Sequence, residues 1–79
     1  MHAQDVQRLI EAGLPGAEVV VIGPDGVHFE AEVVSAAFQG KLQLARHRMV
    51  YATLGELMGG AIHALSLRTV TPEEASRGA

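Results

Sequence analysis

Apolar residues change their spacing several times along the chain, and each change marks an element. Within QDVQRLIEA, residues 4–12, Val6, Leu9 and Ile10 recur at helical spacing, and Gly13 with Leu14-Pro15-Gly16 stops the helix. AEVVVIG follows, short, β-branched and bounded by turn residues, and reads as a strand. In GPDGV, Pro24 fixes φ and Asp25-Gly26 is a hairpin signal. VHFEAEVVS then alternates: Val27, Phe29, Ala31 and Val33 share one face, and His28, Glu30 and Glu32 the other. One face is therefore buried and one solvated.

AAFQGK breaks the alternation. From about Leu42 to Met58 the period is helical, with Val50, Tyr51, Leu54, Leu57 and Met58 on one stripe and His47 on the same side a turn earlier. Gly59-Gly60 is the expected stop, and residues 61–69 the third strand. In TPEEASRGA, Thr71 is a helix N-cap, Pro72 suits the first helical position, and Glu73 and Glu74 favour the helix N-terminus. The prediction is an α+β domain of order αββαβ(α). A hairpin joins the first two strands, and a helical crossover makes the second and third parallel. The helices pack on one face of a three-stranded mixed sheet. One domain is expected over 1–79, with its ordered core at about 3–70 and a partly helical or frayed tail at 71–79.

Composition narrows the chemistry. At 79 residues with 48% hydrophobic positions, the chain suits one small domain with a core of Val, Leu, Ile and Ala. It has no cysteine, which excludes disulfides, a thiol nucleophile and an iron-sulfur site made by this chain alone. No apolar run approaches the about 18 residues of a membrane span. The N-terminus lacks the basic start and apolar centre of a signal peptide, so a cytoplasmic location is expected. The net charge of −3 argues against a dedicated nucleic-acid binder, because neutralising phosphates takes an excess of Lys and Arg.

No G-x-S-x-G, H-E-x-x-H or Walker lysine loop is present, and no catalytic constellation is expected. Glu30 and Glu32 read as cross-strand partners for Arg68. The G-x-x-G of Gly13 to Gly16 joins a helix to a strand, which makes it a helix stop and not a nucleic-acid clamp. His63 opens the third strand on the face of Leu65 and Leu67. It reads either as a histidine at the edge of the core or as a metal ligand, since neutral imidazole offers a lone pair. His28 reads as a solvated strand residue, His47 as packed and His2 as terminal. Lys41, Arg46 and Arg48 form the one local basic patch, a solvated helix face or a contact for an anionic partner.

Several of these segments together resemble one family. Phe38-x-Gly40, Arg46-His47-Arg48, Val50-Tyr51, the strand Ile62-His63-Ala64-Leu65 and Thr71-Pro72 are similar to the BolA family over about Gly26 to Glu74. The resemblance implies a class II KH-like fold and a partner, a monothiol glutaredoxin with a CGFS active site. It implies a 2Fe-2S cluster shared between the two, with thiolates from the glutaredoxin cysteine and a bound glutathione. His63 stands at the family's ligand histidine. The family's second ligand lies in the loop between the first two strands. Asp25 aligns with its cysteine position, and His28 is the nearest histidine. The resemblance also implies a runner-up, DNA binding in transcription control through the segment carrying Lys41, Arg46 and Arg48. The isolated chain is expected to be a monomer or weak dimer without bound cofactor.

Overall fold

The computed structural model describes residues 1–78. Along them run α1 (Ala3–Gly13), β1 (Glu18–Ile22), β2 (His28–Val34), a 3-10 turn (Ala36–Phe38), α2 (Gln43–Leu54), a second 3-10 turn (Gly55–Leu57), β3 (Ala64–Val70) and α3 (Pro72–Ser76). This is the expected αββαβ(α) order. The sheet order is β1-β2-β3, with β1 antiparallel and β3 parallel to β2. The parallel pair follows from the α2 crossover, because a tight turn joins only antiparallel neighbours.

Alternation along β2 has the predicted consequence. Phe29, Ala31 and Val33 are buried, while His28, Glu30 and Glu32 are exposed. The buried face packs with Val6 and Ile10 of α1, Val50 and Leu54 of α2, and Phe38, Ile62 and Leu65. The opposite face of β1 leaves Val20 and Ile22 exposed. Arg68 meets Glu32 at 2.8 Å, the cross-strand pair the sequence implies, and the two are register partners. Glu30 lies opposite Ser66 instead.

The long helix differs from expectation at both its end and its buried face. It stops at Leu54, because Gly55 takes φ 55° and the chain tightens into a 3-10 turn before Met58. Glycine enters this left-handed region without a Cβ clash. Leu57 and Met58 still pack on the core, but from beyond the helix. The buried stripe is Arg46, Val50 and Leu54, spaced by four residues, and Tyr51 lies exposed one step round the helix. β3 begins at Ala64, three residues later than predicted, because residues 58–62 first form an isolated bridge between Met58 and Ile62.

Thr71 caps α3 as expected. Its hydroxyl accepts the Glu74 N–H at 3.1 Å, and the Glu74 carboxylate accepts the Thr71 N–H at 2.8 Å. The same carboxylate accepts from the Arg46 guanidinium at 2.7 Å, so α3 is tied to α2. Hydrogen bonds from Arg46 first, then from the Thr71 N–H, lower the Glu74 carboxyl from 4.5 to about 2. A carboxyl depressed on folding stabilises the fold above its unfolded pKa, and this contribution is lost as pH falls toward the folded value. Acid unfolding followed by circular dichroism should therefore show a loss of stability between pH 4.5 and 2 that Glu74→Gln flattens. An unchanged slope in the variant would contradict the assignment.

Gly23 ends β1 with no room for a side chain, since a Cβ there would fall on the ring of Phe29, which is 2% exposed. Gly23→Ala is expected to destabilise by about 1–3 kcal/mol through overpacking, read as a lowered urea midpoint at unchanged m-value.

Candidate functional site

One end of the sheet brings together the β1–β2 loop and the approach to β3. In the loop, the Gly26 N–H donates to the Gly23 carbonyl at 3.2 Å, closing a turn with Pro24 and Asp25 at its centre. Pro24 supplies the φ that its position requires, and Gly26 follows at φ 77°. Asp25 then organises the chain entering β2. Its Oδ1 accepts the backbone N–H of Val27 at 3.0 Å and of His28 at 2.8 Å. Its Oδ2 lies 2.7 Å from Nδ1 of His28. The N–H of His28, then that of Val27 and then the His28 ring hold the Asp25 carboxyl well below the usual carboxylate range. Both side chains stay accessible, His28 at 63% and Asp25 at 51%.

His63 reaches the same place from the other side. Its N–H donates to the Val27 carbonyl at 2.9 Å, and the next residue, Ala64, is the register partner of His28. The two imidazole rings lie with centroids 6.1 Å apart, tilted by 40°. The ladder fixes the backbone on both sides, while the rings face outward. An open groove runs from here along the solvated face of the sheet, lined by Ile22, Pro24, Asp25, His28, Glu30 and Ser66 among others.

These positions sort the sequence candidates. His63 stands just before β3 and is exposed, so it is not a histidine satisfied at the edge of the core. His28 is brought to it. Asp25 is also there, with its oxygens engaged by the Val27 and His28 N–H groups and the His28 ring. Reading the sequence for elements alone misses its pairing with His28. The signal is nonetheless present, because an aspartate followed three residues later by histidine has the spacing for an Asx turn whose carboxylate also reaches the ring. Among the described residues no group of three or more His, Cys, Asp or Glu side chains is placed to hold a metal ion.

The basic patch needs correction. Lys41 and Arg48 are exposed, but Arg46 is only 5% exposed. Its Nε donates to the Lys41 carbonyl at 2.8 Å, and one Nη donates to the Thr69 carbonyl at 3.1 Å and to Glu74. The guanidinium also lies 5.9 Å from the Phe38 ring centroid. A planar group with several donors is used here to join three elements, and it is withdrawn from any surface contact. His2, read as terminal, precedes α1, where its N–H donates to the Asp5 carboxylate at 3.3 Å. His47 is half-buried, in keeping with a packed reading.

Comparison with known proteins places this fold in a family. A structure of a BolA protein homologue from Coxiella burnetii superposes with a TM-score of 0.88 and 46% identity, covering 98% of this chain and 99% of that one. An uncharacterised protein of Acinetobacter guillouiae, from the rpoN-murA intergenic region, is 35% identical over 75 residues, 94% of this chain and 89% of its own length. The Escherichia coli protein named DNA-binding transcriptional regulator BolA is 47% identical over 47 residues, 60% of this chain and 45% of its own length. In that protein and in human BolA-like protein 1 the matched stretch spans less than half of the relative's length. The family model described as BolA-like protein matches residues 11–74, well over half of the sequence. The chain belongs to the BolA family.

Proposed function

We propose that this protein is a non-enzymatic adaptor that pairs with a monothiol glutaredoxin and co-ligates a shared 2Fe-2S cluster, in cluster assembly and trafficking or in iron homeostasis. The observation that carries this reading is the meeting of His28 and His63 at one exposed rim, with ring centroids 6.1 Å apart. The donor set is two imidazoles and no thiolate, since the chain has no cysteine. Such a set fits the cluster as a contributor and not as its sole holder, because 2Fe-2S clusters take four ligands, chiefly thiolates. The partner's cysteine and a glutathione would complete it. Imidazole ligation raises the potential of a cluster relative to all-thiolate ligation. The chain's own task is to hold two imidazole rings on fixed backbone and to meet the partner through the groove beside them.

The test is a titration of this protein into cluster-loaded monothiol glutaredoxin with glutathione, followed by visible absorbance and circular dichroism. A changed spectrum with a midpoint near equal stoichiometry is expected. An unchanged spectrum at excess would refute the reading.

A second reading, nucleic-acid binding, draws support from the name of the Escherichia coli relative and from the exposed Lys41 and Arg48. It rests on two surface cations in place of three, with Arg46 withdrawn. It predicts steeply salt-dependent binding weakened by Arg48→Ala. The lack of a gel shift at low salt would exclude it.

A further inference from the structure

We propose that Asp25 is a positioning residue for His28: its carboxylate holds the ring in the Nδ1–H tautomer, which leaves Nε2 as the lone-pair donor that the second ligand site requires. This inference rests on the cluster-sharing reading above, and it accounts for an aspartate where the family resemblance puts a cysteine.

An ionised carboxylate only accepts hydrogen bonds. With Oδ2 at 2.7 Å from Nδ1, the ring nitrogen facing it carries the proton. In a neutral imidazole the other nitrogen, Nε2, is then the free base. Metal-binding histidines commonly have this second partner, which fixes tautomer and ring orientation and makes the ligating nitrogen more basic. The carboxylate is itself fixed. Its Oδ1 takes two backbone N–H groups, from Val27 and His28, so it does not turn away when the ring moves. The result is a histidine oriented before any partner arrives, built within four consecutive residues of one turn. Asp25 thus supports the ligand and does not replace it.

The variant that separates this role from turn stability is Asp25→Asn. The asparagine carbonyl still accepts the Val27 and His28 N–H groups, so the turn is kept. Its amide NH2 then faces Nδ1 as a donor, which moves the ring proton to Nε2 and blocks the ligating nitrogen. Long-range proton-nitrogen correlation spectra of the cluster-free protein, recorded at about pH 8 where an unperturbed imidazole is neutral, read the tautomer directly. The wild type is expected to show Nδ1–H for His28, and Asp25→Asn is expected to show Nε2–H. A wild-type Nε2–H tautomer, or one that the substitution does not change, would overturn the proposal.

The second readout adds both proteins to glutaredoxin loaded with a glutathione-bound 2Fe-2S cluster. Asp25→Asn is expected to retain the cluster about 10- to 100-fold less well, the range for losing an outer partner of a metal-bound histidine. If His28→Ala weakens retention and Asp25→Asn does not, the positioning role is refuted while the shared cluster stands. If wild type gives no change in cluster spectrum although the tautomer is as expected, the failure belongs to the cluster-sharing reading, and the role of Asp25 toward a ligand falls with it.

Discussion

His63→Ala is expected to abolish the heterodimer's cluster spectrum and to leave the fold intact. The two effects separate because of where the residue sits. Its contribution to the fold is its backbone N–H, which donates to the Val27 carbonyl at 2.9 Å and survives the substitution. Its ring is exposed, so thermal stability should change by no more than about 0.5 kcal/mol. Its contribution to the cluster is a direct lone pair. Losing it should cost more than the roughly 10- to 100-fold that follows removal of an outer partner. The absorbance and dichroism of the mixture should then match glutaredoxin alone. His28→Ala should give an intermediate result, with a cluster that forms and is readily lost. A normal spectrum in the His63 variant would mean that the histidine is not a ligand.

Arg46→Ala is expected to be strongly destabilising and to be silent toward the cluster except through folding. The guanidinium satisfies two backbone carbonyls, of Lys41 and Thr69, and lies over Phe38. Gln43 also donates to the Thr69 carbonyl at 3.2 Å, so that group keeps one partner and the Lys41 carbonyl bears most of the loss. Losing hydrogen bonds from a charged donor costs about 1.5–3 kcal/mol, and removal of the buried side chain adds lost packing. A total of about 2–3 kcal/mol corresponds to a fall in Tm of roughly 10–20 °C for a domain of this size. Arg48→Ala, at an exposed position two residues on, should lower Tm hardly at all. Calorimetry on the two variants checks the contrast, and equal Tm values would refute the structural role of Arg46. The contrast also guards the nucleic-acid experiment, since a lost gel shift in Arg46→Ala would report unfolding, whereas one in Arg48→Ala would report contact.

The elements are largely legible in the sequence, because they rest on local rules. Phe29, Ala31 and Val33 alternate with His28, Glu30 and Glu32, and backbone geometry alone puts successive strand residues on opposite faces. Thr71, Pro72 and Glu74 announce α3 because a cap is made within one turn. The family resemblance, carried by Phe38, Gly40, His63 and Thr71-Pro72, likewise singles out His63 from its neighbours in sequence.

What stays hidden depends on parts of the chain that are distant in sequence. A helical wheel shows which residues share a side but not which side is buried, so periodicity turns Tyr51 inward and Arg46 outward, the reverse of their true places. Arg46 goes in because α3 returns Glu74 to it across 28 residues, and periodicity carries no information about that return. The helix end at Gly55 escapes the pattern because a glycine inside a periodic run looks tolerable until its φ is known. The meeting of His28 and His63 has the same origin. Each is visible alone, one after a turn and one before a strand, but their 6.1 Å approach exists because parallel pairing sets Ala64 beside His28. Local sequence thus specifies the strands and the histidines, and the register between β2 and β3, a cooperative outcome of burying one face of the sheet, makes the two histidines a single site.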